Sequence, residues 1–266
     1  MNKELAWVLG FLLSDGCIQR PSYRKKGDER HIDFTLHIKD AEVLEKIKKI
    51  LNTNAVVHKY ADYASPQAKI RIYDRMDLVE KYGDIKQKVP EDIEGYERHF
   101  MRGLVDGDGC LHYRKNRKSF RINIINEVCE IVEWFSSTLS KLIGIPLKEP
   151  RYKESDHLWI VEWEGKVARY IAWYLYHGDI EHCVLKRKHD YYKEHVLGNQ
   201  QPNSYLDELL KALDLQIINK RISMKTRWGT TLDWCKMLQY VIHEPCTPVP
   251  VNKGKRKYYE LYLPNS

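Results

Sequence analysis

The sequence has no apolar run long enough to cross a bilayer. Its longest, residues 5–13, falls far short of the ~20 residues a membrane helix requires. No basic leader with a small-residue cleavage site precedes that run, so secretion is not expected; the expected location is a cytoplasm, that of a phage host included, or an organelle interior. Cysteines are few and scattered. Cys17, Cys110, Cys129, Cys183, Cys235 and Cys246 form no C-x-x-C pair, which argues against a structural zinc site or a disulfide framework and for reduced thiols. Acid does not balance base: the net charge is +7, which favours a polyanionic partner. The 18 tyrosines and 7 tryptophans, interleaved with Lys and Arg, suit a nucleic-acid surface or an aromatic core equally well. At 266 residues the chain can form one large domain or two to three small ones without staples.

What is present is a duplication. "LGFLLSDGCI" near the start and "MRGLVDGDGCL" from residue 101 are both apolar runs that stop at Asp-Gly-Cys. The first is apolar on every side and reads as a fully buried short helix capped by Asn2. Gly16 and Gly109 are expected to end the two helices as left-handed residues. Gly10 and Gly103 fall at matching positions and would let the helices touch backbone to backbone. After each helix come two strand-like segments, a helix, two more strands and a helix. In the first half these lie near 17–24, 31–38, 40–51, 55–60, 69–73 and 75–83. In the second, "CLHYRKN", "SFRINII", "VCEIVEWFSSTLSKLIG", "EPRYK", "HLWIVEW" and "KVARYIAWYLY" supply the same series. The expected fold is therefore α+β, with half-repeats over residues 1–92 and 93–198 and a separate segment over 199–266.

Several strands alternate between polar and apolar residues. His31, Asp33, Thr35 and His37 oppose Ile32, Phe34, Leu36 and Ile38; Lys69, Arg71 and Tyr73 oppose Ile70 and Ile72; Ser119, Arg121 and Asn123 oppose Phe120, Ile122 and Ile124. One wet face is ordinary for an antiparallel sheet. These wet faces, however, carry residue types that hydrogen-bond base edges and phosphates.

Asp15 and Asp108 end their helices at the negative pole of the helix dipole, and if the helices pair, the two acids also repel each other. Both costs vanish where divalent cations take the carboxylates as hard oxygen ligands. Asp-Gly is a common turn dipeptide, but two copies in matching contexts favour the metal.

Both segments resemble the LAGLIDADG motif of homing endonucleases, in the single-chain form with two motifs, over roughly residues 1–197. The resemblance implies two pseudo-symmetric αββαββα halves with the motif helices on the pseudo-twofold axis and antiparallel sheets forming a saddle over the DNA major groove. It implies a monomer that binds a long, asymmetric double-stranded site and hydrolyses one phosphodiester per strand, leaving short 3′ overhangs. Asp15 and Asp108 would hold Mg²⁺, assisted by the carbonyls of Ser14 and Gly107; Mn²⁺ would substitute, and Ca²⁺ would allow binding without cleavage. Asn126 and Lys166 are the implied auxiliary pocket residues. The saddle would also draw on Gln19, Arg20, Tyr23, Arg24, His112, Arg114, Lys115, Arg151 and Lys153. One departure stands out: the sixth motif position is Leu13 in the first copy and Asp106 in the second. The alternatives on the same fold are a maturase that binds intron RNA and a regulator built on an inactive nuclease; loss of a motif acid would favour either, and both acids are present.

Beyond the break "GNQQPNS", residues 205–215 and 230–242 read as helices, and "VPVNKGKRKYYELYL" as a hairpin turning at Lys253-Gly254. This suggests a small α/β, winged-helix-like module in which Lys253, Lys255, Arg256 and Lys257 touch phosphates. A solvated basic tail packed on the second half accounts for the segment equally well.

Overall fold

The computed structural model describes residues 1–19, 30–62, 64–83, 85–178, 180–198, 205–212, 217–218, 221–224, 247–253 and 256–262. The first half runs α1 (Lys3–Ser14), β1 (Gly16–Gln19), β2 (His31–His37), α2 (Ala41–Leu51), β3 (Val57–Tyr60), β4 (Gln67–Ile72) and α3 (Met76–Lys81). The second runs α4 (Glu97–Gly107), β5 (Cys110–Arg114), β6 (Ser119–Asn126), α5 (Cys129–Ile143), β7 (Arg151–Lys153), β8 (Leu158–Glu164) and α6 (Lys166–Tyr176). Each half is an αββαββα unit, as the duplication predicts. Their antiparallel sheets have matching strand orders, β1-β2-β4-β3 and β5-β6-β8-β7.

The halves meet along α1 and α4. Asn2 caps α1 by accepting from Leu5 N at 2.7 Å, and Ala6 through Leu13 are all buried, as expected for a helix apolar all round. A Cβ on Gly10 would lie 2.1 Å from the Phe100 carbonyl oxygen, and one on Gly103 would lie 2.2 Å from that of Trp7. The helices therefore touch backbone to backbone, and only glycine fits at either position. Trp7 and Phe11 from one helix and Phe100, Leu104 and Val105 from the other form the centre of the core. The apolar faces of both sheets close over it with Ile32, Phe34, Ile70 and Ile72 in one half and Phe120, Ile122 and Ile124 in the other.

A further helix, α7 (Lys186–Tyr192), continues into a π-helical turn at Lys193–Leu197, where the sequence reading placed no helix. This segment crosses to the first half: Val184 O accepts from Lys46 Nζ at 3.0 Å, and Arg187 Nε donates to Asp40 at 2.9 Å.

In the C-terminal segment, α8 (Tyr205–Ala212) packs on α6 through Leu209 and Ala212, with Arg169 of α6 donating to the Val196 carbonyl. The expected hairpin is present as β11 (Thr247–Lys253) and β12 (Arg256–Tyr262), with Lys253 opposite Arg256 across the turn. It belongs to a larger sheet than the sequence suggested. The order is β11-β12-β10-β9, with β9 (Ile217–Ile218) and β10 (Arg221–Met224) added. The helix expected at 230–242 lies outside the described residues. Among those described, no helix is long and apolar enough to cross a membrane.

The α1–α4 contact generates a prediction. Gly103→Ala forces the helices apart or bends one of them, and should cost ~1–3 kcal/mol of stability, the scale of overpacking in a closed core. Urea unfolding measures it; an unchanged midpoint would mean the backbones are not in contact.

Candidate active site and nucleic-acid interface

The last turns of α1 and α4 bring the two motif acids together. Asp15 and Asp108 are the C-cap residues, with φ of −90° and −83°, so both helices end in the right-handed region. Gly16 and Gly109 are not the left-handed terminators that the sequence suggests: neither has positive φ. They are glycines because space is lacking. A Cβ on Gly16 would fall 2.4 Å from a Leu12 methyl carbon, and one on Gly109 would fall 2.6 Å from Val105 Cα. The helix ends themselves touch. A Cβ on Gly107 would overlap Ser14 Oγ at 1.9 Å and approach the Asp15 carboxylate at 3.3 Å.

The electrostatics record this crowding. Asp108 is pushed up to about 6, first by burial and then by the negative charge of Asp15; Lys86 and Lys188 pull it down, and Glu127 adds a smaller upward push. Asp15 keeps an exposed edge, yet the protein packed around it raises its carboxyl above the usual value. Lys188, Lys86 and Arg187 oppose that rise.

Two lysines complete the helix ends. Lys86 Nζ donates to the carbonyls of Leu13 and Ser14, the latter at 2.7 Å. Lys188 Nζ donates to Val105 O at 2.6 Å, Gly107 O at 3.0 Å and Gly109 O at 2.6 Å. Cations on the last carbonyls of a helix answer the dipole that the aspartates oppose. The two lysines are not equivalent. Lys86 is open to solvent, whereas Lys188 is only 6% exposed and its ammonium is pushed down to about 8 by burial. The charge of nearby Asp106 opposes that fall; this fully buried carboxyl accepts from Trp7 Nε1 at 2.8 Å, Tyr176 OH at 2.8 Å and Leu185 N at 3.0 Å. The motif aspartate at position six of the second copy is thus a structural hub of its half; the departure is Leu13 of the first copy, which is buried in the core.

Neither lysine was picked out from the sequence. Lys188 had a legible signal: it lies beside the helical stripe of Leu185, His189, Tyr192 and Val196, where a lysine must be paid for by bonds. Lys86 stands in a short irregular stretch with no such pattern. Of the auxiliary residues named instead, Lys166 opens α6 directly after β8. Asn126 turns back on its own chain, its Oδ1 accepting from Val128 N at 2.9 Å ahead of α5.

Among the described residues, no three His, Cys, Asp or Glu side chains converge to hold a metal. Asp15 and Asp108 offer carboxylate oxygens at the helix ends, whereas the Ser14 and Gly107 carbonyls, expected to assist a metal, accept from Lys86 and Lys188.

No protein-family model and no curated protein sequence matches the chain. Solved structures do. The chain resembles LAGLIDADG homing endonucleases. Similar structures include I-GzeII in complex with its DNA target (11% identity over 82% of this chain and 99% of that one, TM-score 0.47). I-SmaMI bound to an uncleaved DNA target in the presence of calcium ions is similar at 13% identity, over 80% of this chain and 98% of that one, with a TM-score of 0.47. I-DmoI in complex with DNA and Mn is similar at 15% identity, over 59% and 86%, with a TM-score of 0.40.

Of the polar residues singled out above, most of those described fall on the strands of the two sheets, with Tyr73 and Lys115 just past the ends of β4 and β5. Gln19, Thr35, His37, Arg71, Tyr73, His112, Lys115, Arg151 and Lys153 are exposed, and Arg114, Ser119, Arg121, Asn123 and Lys69 are half-buried. His31 and Asp33 differ: they are 6% and 8% exposed on a face expected to be wet. The Asp33 carboxylate draws Lys69 and Arg71 across from β4, and the His31 ring lies 4.9 Å from that of Tyr73. Arg20, Tyr23, Arg24 and Lys255 lie outside the described residues; Arg256 and Lys257 are on β12.

Two predictions follow from the helix ends. Asp108 ionises near pH 6 when folded and near 3.8 when unfolded, so the folded state holds the proton more tightly. Stability is therefore lost as pH rises between about 4 and 6, and the loss is complete above that window. Asp108→Asn should accordingly raise the melting temperature in EDTA at neutral pH and leave it unchanged below about pH 4. Scanning calorimetry across that range would refute the crowding of the two acids if the gain were absent. Lys188→Met should cost ~3–5 kcal/mol, because it leaves three largely buried carbonyls without their donor and removes the positive charge near buried Asp106. Lys86→Met, at a solvated site, should cost far less, and comparable losses would contradict the asymmetry.

Proposed function

We propose that the protein is a site-specific, double-stranded DNA endonuclease that acts as a monomer and leaves short 3′ overhangs. One observation carries this reading: two acids, one from each half, meet at the ends of helices packed to backbone contact, with a lysine from each half bonded to the carbonyls of its own helix end. A twofold pair of such sites suits the antiparallel strands of a duplex, with one phosphate cut per site.

The two carboxylates fit a divalent cation. Their atoms are hard oxygens, suited to Mg²⁺ or Mn²⁺, and the mutual repulsion that lifts Asp108 is relieved by positive charge. When bound, the cation would polarise the attacking water and stabilise the leaving oxygen. Asp15 and Asp108 hold that charge at the boundary between the halves. Lys86 and Lys188 place ammonium groups beside the acids, where they offset the negative charge that builds on the phosphate being cut. Ca²⁺ should support binding without hydrolysis.

The two sheets present different residues at matching positions, Asp33 and Arg71 in one and Asn123 and Glu162 in the other, so the preferred site is asymmetric. The sequence places Lys255, Arg256 and Lys257 in a basic hairpin suited to phosphates, the last two on β12. Retention of both acids favours the nuclease over an RNA-binding maturase or an inactive regulator.

The test uses random duplex pools enriched for binding in Ca²⁺ and then moved to Mg²⁺. Wild type should make double-strand cuts with 3′ overhangs. Asp15→Asn and Asp108→Asn should each abolish double-strand cleavage while changing affinity less than about threefold, since binding rests on many contacts outside the helix ends. Full cutting by either variant would remove the assignment.

A further inference from the structure

Each sheet carries an acid–base cluster on its central strand pair, and the polarity is reversed between the halves. In the first sheet the acid is on β2: Asp33 stands opposite Arg71 of β4, and its Oδ2 lies 2.8 Å from Lys69 Nζ and 3.4 Å from Arg71 Nε. In the second sheet the acids are on β8. Arg121 of β6 stands opposite Glu164, hydrogen-bonds Glu162 one pleat further along, and approaches Glu164 at 3.9 Å. Arg114 of β5 reaches Glu164 at 3.6 Å. Since β2–β4 and β6–β8 are equivalent pairs in the two sheet orders, the arrangement occurs twice with donor and acceptor exchanged.

A face built only to attract phosphate would exclude carboxylates, because each one repels the DNA backbone. Partly exposed cross-strand ion pairs also add little to stability. Each of these acids does lie within reach of a guanidinium, Asp33 sharing its carboxylate between Lys69 and Arg71. The Asp33 side chain is 9% exposed and that of Arg71 is 53%, so the acid lies at the floor of the sheet and the arginine head stands above it. The Glu162 and Arg121 side chains, at 16% and 22%, are both partly sunk into the face. Bonding capacity remains unused: Asp33 Oδ1 and Arg121 Nε are buried without a hydrogen-bond partner among the described residues.

We propose that Asp33 and Glu162 are positioning residues for base readout, holding Arg71 and Arg121 with their forks toward guanine edges in the major groove and away from phosphates. A restrained arginine meets the two guanine acceptors with less ordering left to do, and the neighbouring carboxylate penalises any phosphate in their place. The two acids thus exchange affinity for discrimination. This rests on the DNA-binding reading of the sheets given above.

The test is selection from a random duplex library in Ca²⁺, applied to wild type, Asp33→Asn, Glu162→Gln, Arg121→Ala and the Glu162→Gln/Arg121→Ala double variant, each first shown by thermal melting to be folded. Glu162→Gln should bind unselected DNA several-fold more tightly, because a like charge is gone from the face. Its preference for guanine at one position of one half-site should fall roughly tenfold. Asp33→Asn should do the same at one position in the opposite half-site. On the Arg121→Ala background, Glu162→Gln should change no base preference, since the acid acts through the arginine. Unchanged preferences in the two acid variants would overturn the proposal. So would an equal effect of Glu162→Gln with and without Arg121, which would mean that the glutamate touches a base itself. A wild-type protein that selects no sequence would instead remove the DNA-binding reading, and this inference with it.

Discussion

The contact of α1 with α4 is the constraint on which the rest of the structure depends. Two glycines let the Trp7 and Phe100 carbonyls reach the opposite backbone, and no other residue leaves that room. Once the helices are that close, their C-terminal ends must coincide, and Gly107 lies against Ser14 with nothing between them. The same closeness sets the sheets side by side, because β1 follows α1 after one residue and β5 follows α4 after two. The site and the interface are thus consequences of one packing decision at the centre of the core.

That decision creates an electrostatic problem. Two carboxylates are brought together where two helix dipoles already point their negative ends. The protein answers with ammonium groups on the terminal carbonyls, and it answers differently in each half. Lys86 is the more exposed of the two, whereas Lys188 is buried near Asp106, which itself bonds Trp7, Tyr176 and Leu185. Local rules of stability are broken most heavily at the helix ends, where a functional site is expected to break them.

Much of this was legible in the sequence. The αββαββα order of both halves, the facing glycines, the apolar strand faces and the two acids follow from periodicity and from the repeated Asp-Gly-Cys endings. Those signals are local, carried by residues three, four or two positions apart. The misread features share a different origin. Gly16 and Gly109 looked like left-handed terminators because glycine usually serves that end, but their real constraint is crowding from Leu12, Phe34 and Val105. His31 and Asp33 looked solvated because they alternate with apolar neighbours; what covers them comes from β4 across the sheet.

The sequence by itself determined the two-half architecture and which two acids end the paired helices, because hydrophobic periodicity and a repeated motif need no knowledge of distant residues. The tertiary structure alone decided which lysines serve those acids and which acids hold the arginines of each sheet. Lys86 and Lys188 reach the helix ends from segments more than seventy residues away, and Glu162 meets Arg121 across forty-one. A pairing over such distances is set by the geometry of the packed core, and nothing in the local composition of either partner encodes it.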